Sequence, residues 1–166
     1  MHIVVMGVTG TGKTSVGRSV AEAMECEYGE GDDFHPPANV EKMRSGTPLS
    51  DEDRQPWLES LAAWTRARHD RGESAVLACS ALRRVYRDVL RTGAEDTVFA
   101  HLVGDPTTIR QRMEGRRHFM PSSLLQSQLD TLEPLEPDER GFEVDVGRPL
   151  ADVVEDVLQR LGQLTT

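Results

Sequence analysis

Thiols are scarce in this chain, positive charge falls short of negative, and no apolar run is long. Its two cysteines, Cys26 and Cys79, have neither the spacing of a metal site nor the numbers of a disulfide framework. They read as free thiols in a reducing compartment. The formal net charge of −9 excludes a broad nucleic-acid surface, because phosphate backbones require clustered Lys and Arg. An anionic ligand would therefore need a local cationic pocket in an acidic protein. No stretch approaches the roughly 18 apolar residues of a membrane span. "MHIVVMG" at the start lacks the charged and apolar regions of a signal peptide, so the expected location is cytoplasmic.

Repeats, low-complexity tracts and dividing linkers are also absent, so residues 1–166 are expected to form a single domain. With 37% apolar and 28% charged residues, the chain has the composition of a soluble globular domain. "HIVVM", 2–6, is a β-branched run ending at Gly7 and reads as a buried first strand. Val16, Val20, Ala23 and Met24 follow helical spacing and predict a helix over 13–25. Residues 26–28 suit a short second strand. Ser50 followed by Asp51, Glu52 and Asp53 reads as a helix start, and Pro56 fits the first turn of a further helix. Trp57, Leu58, Leu61, Trp64 and Thr65 mark that helix's core face. Strands are expected at 74–79, 97–104 and 142–146, with helices at 82–92, 106–115 and 123–132 and a closing helix from Leu150 to Leu161. A basic loop spans 116–122. The alternation predicts an α/β fold: a three-layer parallel sheet with helices on both faces.

"GVTGTGKT", Gly7 to Thr14, lies between the first strand and the first helix. Glycines at these places let successive backbone N–H groups turn toward phosphate oxygens, and the helix N-terminus adds positive potential. Gly7, Thr9, Gly10, Thr11, Gly12, Lys13, Thr14 and Ser15 are therefore candidates to bind a nucleoside triphosphate. Lys13 would bridge its β- and γ-phosphates, and the Thr14 hydroxyl would ligate Mg²⁺.

The same loop serves switches and motors as well. A guanine-reading Asn-Lys-x-Asp and a Leu-Ser-Gly-Gly signature are both missing, and "DERG" at 138–141 comes too late to be a switch. The strand at 74–79 ends in Cys79 and Ser80 rather than a metal-holding Asp, which directs attention to Asp32 after the second strand. "RMEGRRHFM", 112–120, resembles the Arg-x-x-Gly-Arg-Arg lid of adenylate kinases. That likeness puts Arg112 near the adenine and Arg116 near the phosphates. An ordinary solvated basic helix end is the competing reading.

"GDDFHPPANVEKM", "GTPLSDEDRQPWL", "CSALRRVYRDVLR" and "SQLDTLEPLEPDE" resemble the gluconate kinase family, and with the phosphate loop the likeness runs from residue 3 to about 149. The resemblance implies a nucleoside-monophosphate-kinase-like fold with a helical lid over about 112–134. It also implies ATP, Mg²⁺, transfer to the 6-hydroxyl of D-gluconate, and usually a homodimer. For a small hydroxylated anion, Arg54, Arg83 and Lys42 are candidate cations; His35, Asn39, Ser80, Tyr86 and Gln128 are candidate partners for the hydroxyls. Asp32 is the candidate to accept or orient the proton of the attacking hydroxyl and to hold an Mg²⁺-bound water. With Lys13 and Arg116 it completes the catalytic set. Asp33 reads as a bystander. Trp57 and Trp64 read as core residues.

Two departures stand out. The family's glycine before the lid His-Phe is missing: Arg117 directly precedes His118 and the lid is one residue shorter, which leaves roles among Arg112, Arg116 and Arg117 open. Glu30 stands where the family often has Asp, with little effect expected. The rival readings are a kinase for another small acceptor, shikimate-like or a nucleoside monophosphate, and a nucleotide-dependent binding module without catalysis.

Overall fold

The structure, a computed structural model, describes residues 1–114 and 122–165. Five parallel strands form one sheet in the order β2-β3-β1-β4-β5. They are β1 (His2–Met6), β2 (Glu27–Glu30), β3 (Ala75–Ala78), β4 (Val98–Val103) and β5 (Gly141–Asp145). The helices are α1 (Lys13–Met24), α2 (Pro37–Arg44), α3 (Asp51–Asp70), α4 (Arg84–Arg91), α5 (Pro106–Glu114), α6 (Ser122–Thr131) and α7 (Leu150–Leu164). No helix among the described residues is long and apolar enough to cross a membrane.

Every residue of β1 is buried, as its unbroken apolar run requires for a strand covered on both faces. Its side chains alternate between two cores. Val4 and Met6 join Leu77, Phe99, Trp57, Leu61, Tyr86 and Leu90 on the α3/α4 side. Ile3 and Val5 join Val16, Val20, Val153, Val157 and Leu161 on the α1/α7 side. The three-layer arrangement expected from the sequence is thus formed by period-2 alternation in the strands and helical stripes on both sides.

Several elements differ from the sequence-based reading. Pro56 does not open a new helix; α3 runs unbroken from Asp51 to Asp70 around it. A full capping box starts this helix: Asp53 N–H donates to Ser50 Oγ, and Ser50 N–H donates to the Asp53 carboxylate. Pro56 leaves the Glu52 carbonyl without its helical donor, but both residues are exposed and water can replace the bond. The second strand lies at 27–30 rather than 26–28, pairing Glu30 with Ala78 and carrying Glu30 to the C-terminal edge of the sheet. Helix α4 begins at Arg84, not 82, because Ala81 has φ +47° and Arg83 is extended. Residues 80–83 therefore remain a loop at the same edge. Helix α2 was not anticipated, and α7 runs three residues past Leu161; the remaining ends agree to within one residue or two.

Candidate active site

The C-terminal ends of β1, β2 and β3 meet at one rim of the sheet, where open α/β folds place ligands. From β1 the chain turns at Gly7, whose φ of +147° suits glycine; a Cβ there would sit 2.7 Å from the Leu102 carbonyl oxygen. The Thr11 hydroxyl donates to the Val8 carbonyl at 2.9 Å and closes the loop. Gly12, left-handed at φ +91°, caps α1 without a side-chain bond, so the first amides of that helix face the loop. Lys13 donates to the Val8 carbonyl at 3.1 Å. Burial pulls its pKa down, while Asp32, Cys79 and Glu30 pull it back up. The Thr9 amide donates to Gln128 Oε1 on α6 at 2.6 Å.

At the end of β2 the chain supplies two carboxylates in the pattern Glu30-x-Asp32. Thr14 Oγ1 donates to Glu30 Oε2 at 2.7 Å, and the Tyr28 hydroxyl donates to the same oxygen at 2.6 Å. Burial and the Glu30 carboxylate both push the Tyr28 pKa up, so it remains a donor. The sequence reading gave Glu30 little weight, yet it is the acid that touches Thr14. Its signal was the two-residue spacing from Asp32 across the strand end. Asp32 follows in a 3₁₀ turn, Gly31–Phe34. This turn presses on β3: a Cβ on Gly31 would lie 2.3 Å from the Ala78 carbonyl oxygen. Trp57 Nε1–H donates to the Gly31 carbonyl at 2.7 Å, so the buried tryptophan of α3 holds the turn that carries Asp32.

A single cleft is lined by Thr9, Lys13, Asp32, His35, Arg54, Ser80 and Gln128 of the residues predicted for the site. Met43, Thr47, Pro48, Leu49, Trp57, Leu82, Leu124 and Ser127 complete its wall. Met43, Thr47, Pro48, Leu49, Leu124 and Ser127 were not named as site residues from sequence, being apolar or small residues without evident chemistry. Of the three candidate cations, Arg54 lines the cleft. It donates to the Leu49 carbonyl at 2.6 Å and to the Tyr86 hydroxyl at 3.1 Å, and its side chain is 14% exposed.

The other predicted acceptor residues stand behind that wall. Lys42 is bound to Asp53 at 2.7 Å, and Arg83 donates to Asp51 at 2.8 Å. The Tyr86 hydroxyl donates to the same Asp51 carboxylate. Asn39 is buried, and its amide nitrogen bonds both the Asp53 carbonyl at 2.8 Å and His35 Nδ1 at 3.2 Å. Because that nitrogen donates to a carbonyl, His35 Nδ1 is the acceptor. Burial, then the Arg54 charge, lowers the His35 pKa to about 4. The ring is therefore neutral at neutral pH, with its proton on Nε2, 4.0 Å from Asp32 Oδ1. The ring stacks on Trp57 at 4.1 Å between centroids.

A second cleft opens on the other side of the phosphate loop. Thr11, Gly12, Ser15, Arg112, Val146, Arg148 and Pro149 line it. Arg112 thus lies beside the N-terminus of α1. The predicted lid residue Arg116, with Arg117 and His118, lies outside the described residues.

No family model matches the chain. Relatives do. The gluconokinase of Gluconobacter oxydans (strain 621H) is 48% identical over 161 residues, which cover 95% of this chain and 89% of the relative. A sugar kinase from Janibacter sp. HTCC2649, solved unliganded, superposes with a TM-score of 0.93 at 52% identity, covering 97% and 94% of the two chains. A gluconokinase from Sinorhizobium meliloti 1021 gives a TM-score of 0.90 at 47% identity, covering 98% and 92%.

Proposed function

The chain belongs to the gluconokinase family, and from that premise we propose that it phosphorylates D-gluconate to 6-phosphogluconate with ATP. The observation that carries this reading is the meeting of the phosphate loop, Asp32 and Arg54 in one cleft. A coupled assay with 6-phosphogluconate dehydrogenase tests it: ATP-dependent signal is expected with gluconate. A signal with shikimate or a nucleoside monophosphate instead would overturn the choice of acceptor.

The triphosphate lies along the loop from Gly7 to Ser15, its negative charge met by the amides of α1 and by Lys13. Its base extends toward Arg112 in the adjoining cleft. Gluconate occupies the cleft on the other side of Lys13. Arg54 faces its carboxylate, and His35, Ser80 and Gln128 meet its hydroxyls. Asn39 orients His35, while Lys42, Arg83 and Tyr86 hold Asp53 and Asp51 at the start of α3 and so steady Arg54. Asp32 takes or orients the proton of the attacking 6-hydroxyl as that oxygen bonds to the γ-phosphorus in line with the leaving oxygen of ADP. Positioning and charge carry most of such a loose transfer. Arg116 keeps its role at the phosphates from the lid pattern alone.

The oxygen-only set of Thr14, Glu30 and Asp32 suits Mg²⁺, a hard cation. Thr14 would hold it directly, and the two carboxylates through its water. When bound, the ion neutralises charge on the phosphates. A single cytoplasmic domain acting as a homodimer completes the reading.

A further inference from the structure

The pole of the sheet opposite the phosphate loop carries a side-chain cluster that the transfer reaction does not use. His2 opens β1, His69 lies in the last turn of α3, and Asp96 precedes β4. Pairing of Ile3 with Val98 places the starts of β1 and β4 side by side. One donor atom from each of the three side chains lies within 4.8 Å of the others. The two imidazoles stand 5.3 Å apart, inclined at 59°.

Two atoms in this cluster lack partners. His2 Nδ1 and Asp96 Oδ1 are buried and make no hydrogen bond among the described residues. His2 is only 3% exposed. Native proteins rarely leave buried polar atoms unmatched, and two at one spot call for a common partner. An acceptor lone pair on an imidazole beside a carboxylate oxygen is satisfied at once by a cation.

We propose that His2, His69 and Asp96 bind a first-row divalent transition metal, with Zn²⁺ as the expected occupant. Two imidazole nitrogens and one carboxylate oxygen are a donor set for such ions, whereas Mg²⁺ and Ca²⁺ choose oxygen. Solvent fills the remaining positions. His2 is fixed by the strand, while His69 and Asp96 reach the surface and can close on the ion. The bound metal ties the C-terminal turn of α3 to β1 and β4. The site is structural, since the residues that line the active cleft from α3 are Arg54 and Trp57, near the helix's opposite end.

The test uses untagged protein stripped of metal by a chelator and then dialysed. Titration with Co²⁺ is expected to give visible d–d absorption that saturates at about one equivalent and is displaced by Zn²⁺. Zn²⁺ at a hundredfold excess over its Kd is expected to raise Tm by about 5 °C, and Mg²⁺ not to do so. His69→Ala and Asp96→Asn should each abolish both responses while leaving the metal-free Tm and kinase activity at wild-type values. Absence of the Co²⁺ spectrum in the wild type, or its persistence in both variants, overturns the proposal. Persistence would place the ion elsewhere, at Thr14 and Glu30 for example.

Discussion

Asp32 and Glu30 sit two residues apart, yet they are expected to fail differently when neutralised. Asp32→Asn removes the carboxylate proposed to meet the attacking hydroxyl while leaving the hydrogen bonds of the phosphate loop in place. It should lower kcat by about a hundredfold or more, with ATP affinity changed by no more than about twofold. Steady-state kinetics with a separate nucleotide titration would check this, and near-normal turnover would remove Asp32 from the mechanism. Glu30→Gln weakens the partner of Thr14 instead. The Mg²⁺ concentration for half-maximal rate should rise by about tenfold, with a smaller loss at saturating metal. Of the two acids, the sequence made only Asp32 conspicuous. The two-residue spacing from Asp32 hints at Glu30, but only the register of β2, which puts it against Ala78, shows that it is the acid bonded to Thr14.

The elements are joined to the site by groups far from the reacting atoms. Arg87 on α4 and Glu139 in the segment before β5 form an ion pair whose side chains are both 0% exposed. Arg87 also donates to the carbonyls of Ala81, Glu133 and Pro134, tying the segment after α6 to the loop that bears Ser80. Although burial opposes it, hydrogen bonding from Arg87, the Glu136 amide and Arg91 lowers the Glu139 pKa to about 2. Arg87→Ala would leave a buried carboxylate with half its partners. A loss of about 3–5 kcal/mol is expected in denaturant unfolding, far more than an exposed pair would cost. Removing the α3 cap with Ser50→Ala is expected to cost about 1 kcal/mol. The cap was readable from four consecutive residues. The Arg87–Glu139 pair was not, because 52 positions separate its members and nothing local marks them. Likewise the sequence made Asn39, Lys42, Arg83 and Tyr86 candidates for the proposed acceptor side. Only their partners reveal that they brace the wall while Arg54 and His35 face the cleft.

For the molecule as a whole, the buried histidines set the response to acid. His35 and His101 are both held near pKa 4 by burial first, with nearby cations second. The unfolded chain takes up these protons around 6.5, which the folded chain refuses until about 4. Their contribution is therefore complete above pH 6.5 and is lost as the pH falls through that window. Each can add a slope of at most about 1.4 kcal/mol per pH unit. Chemical denaturation at several pH values should show stability falling between 6.5 and 4.5. A flat profile there would contradict the burial of these rings. The fold itself was legible because unbroken apolar runs in the strands and stripes in the helices are local signals; the sheet's order and the clefts at its rim depend on which elements meet. One such meeting, the Thr9 amide on the Gln128 side chain of α6, gives nucleotide entry the character of an exchange. With the triphosphate seated on the loop as proposed, the incoming phosphate displaces a tenant from the Thr9 amide, and the same side chain returns when the product leaves. Amide hydrogen exchange at Thr9 should therefore stay slow with and without ATP, whereas Gln128→Ala should leave it slow only in the ATP-bound protein.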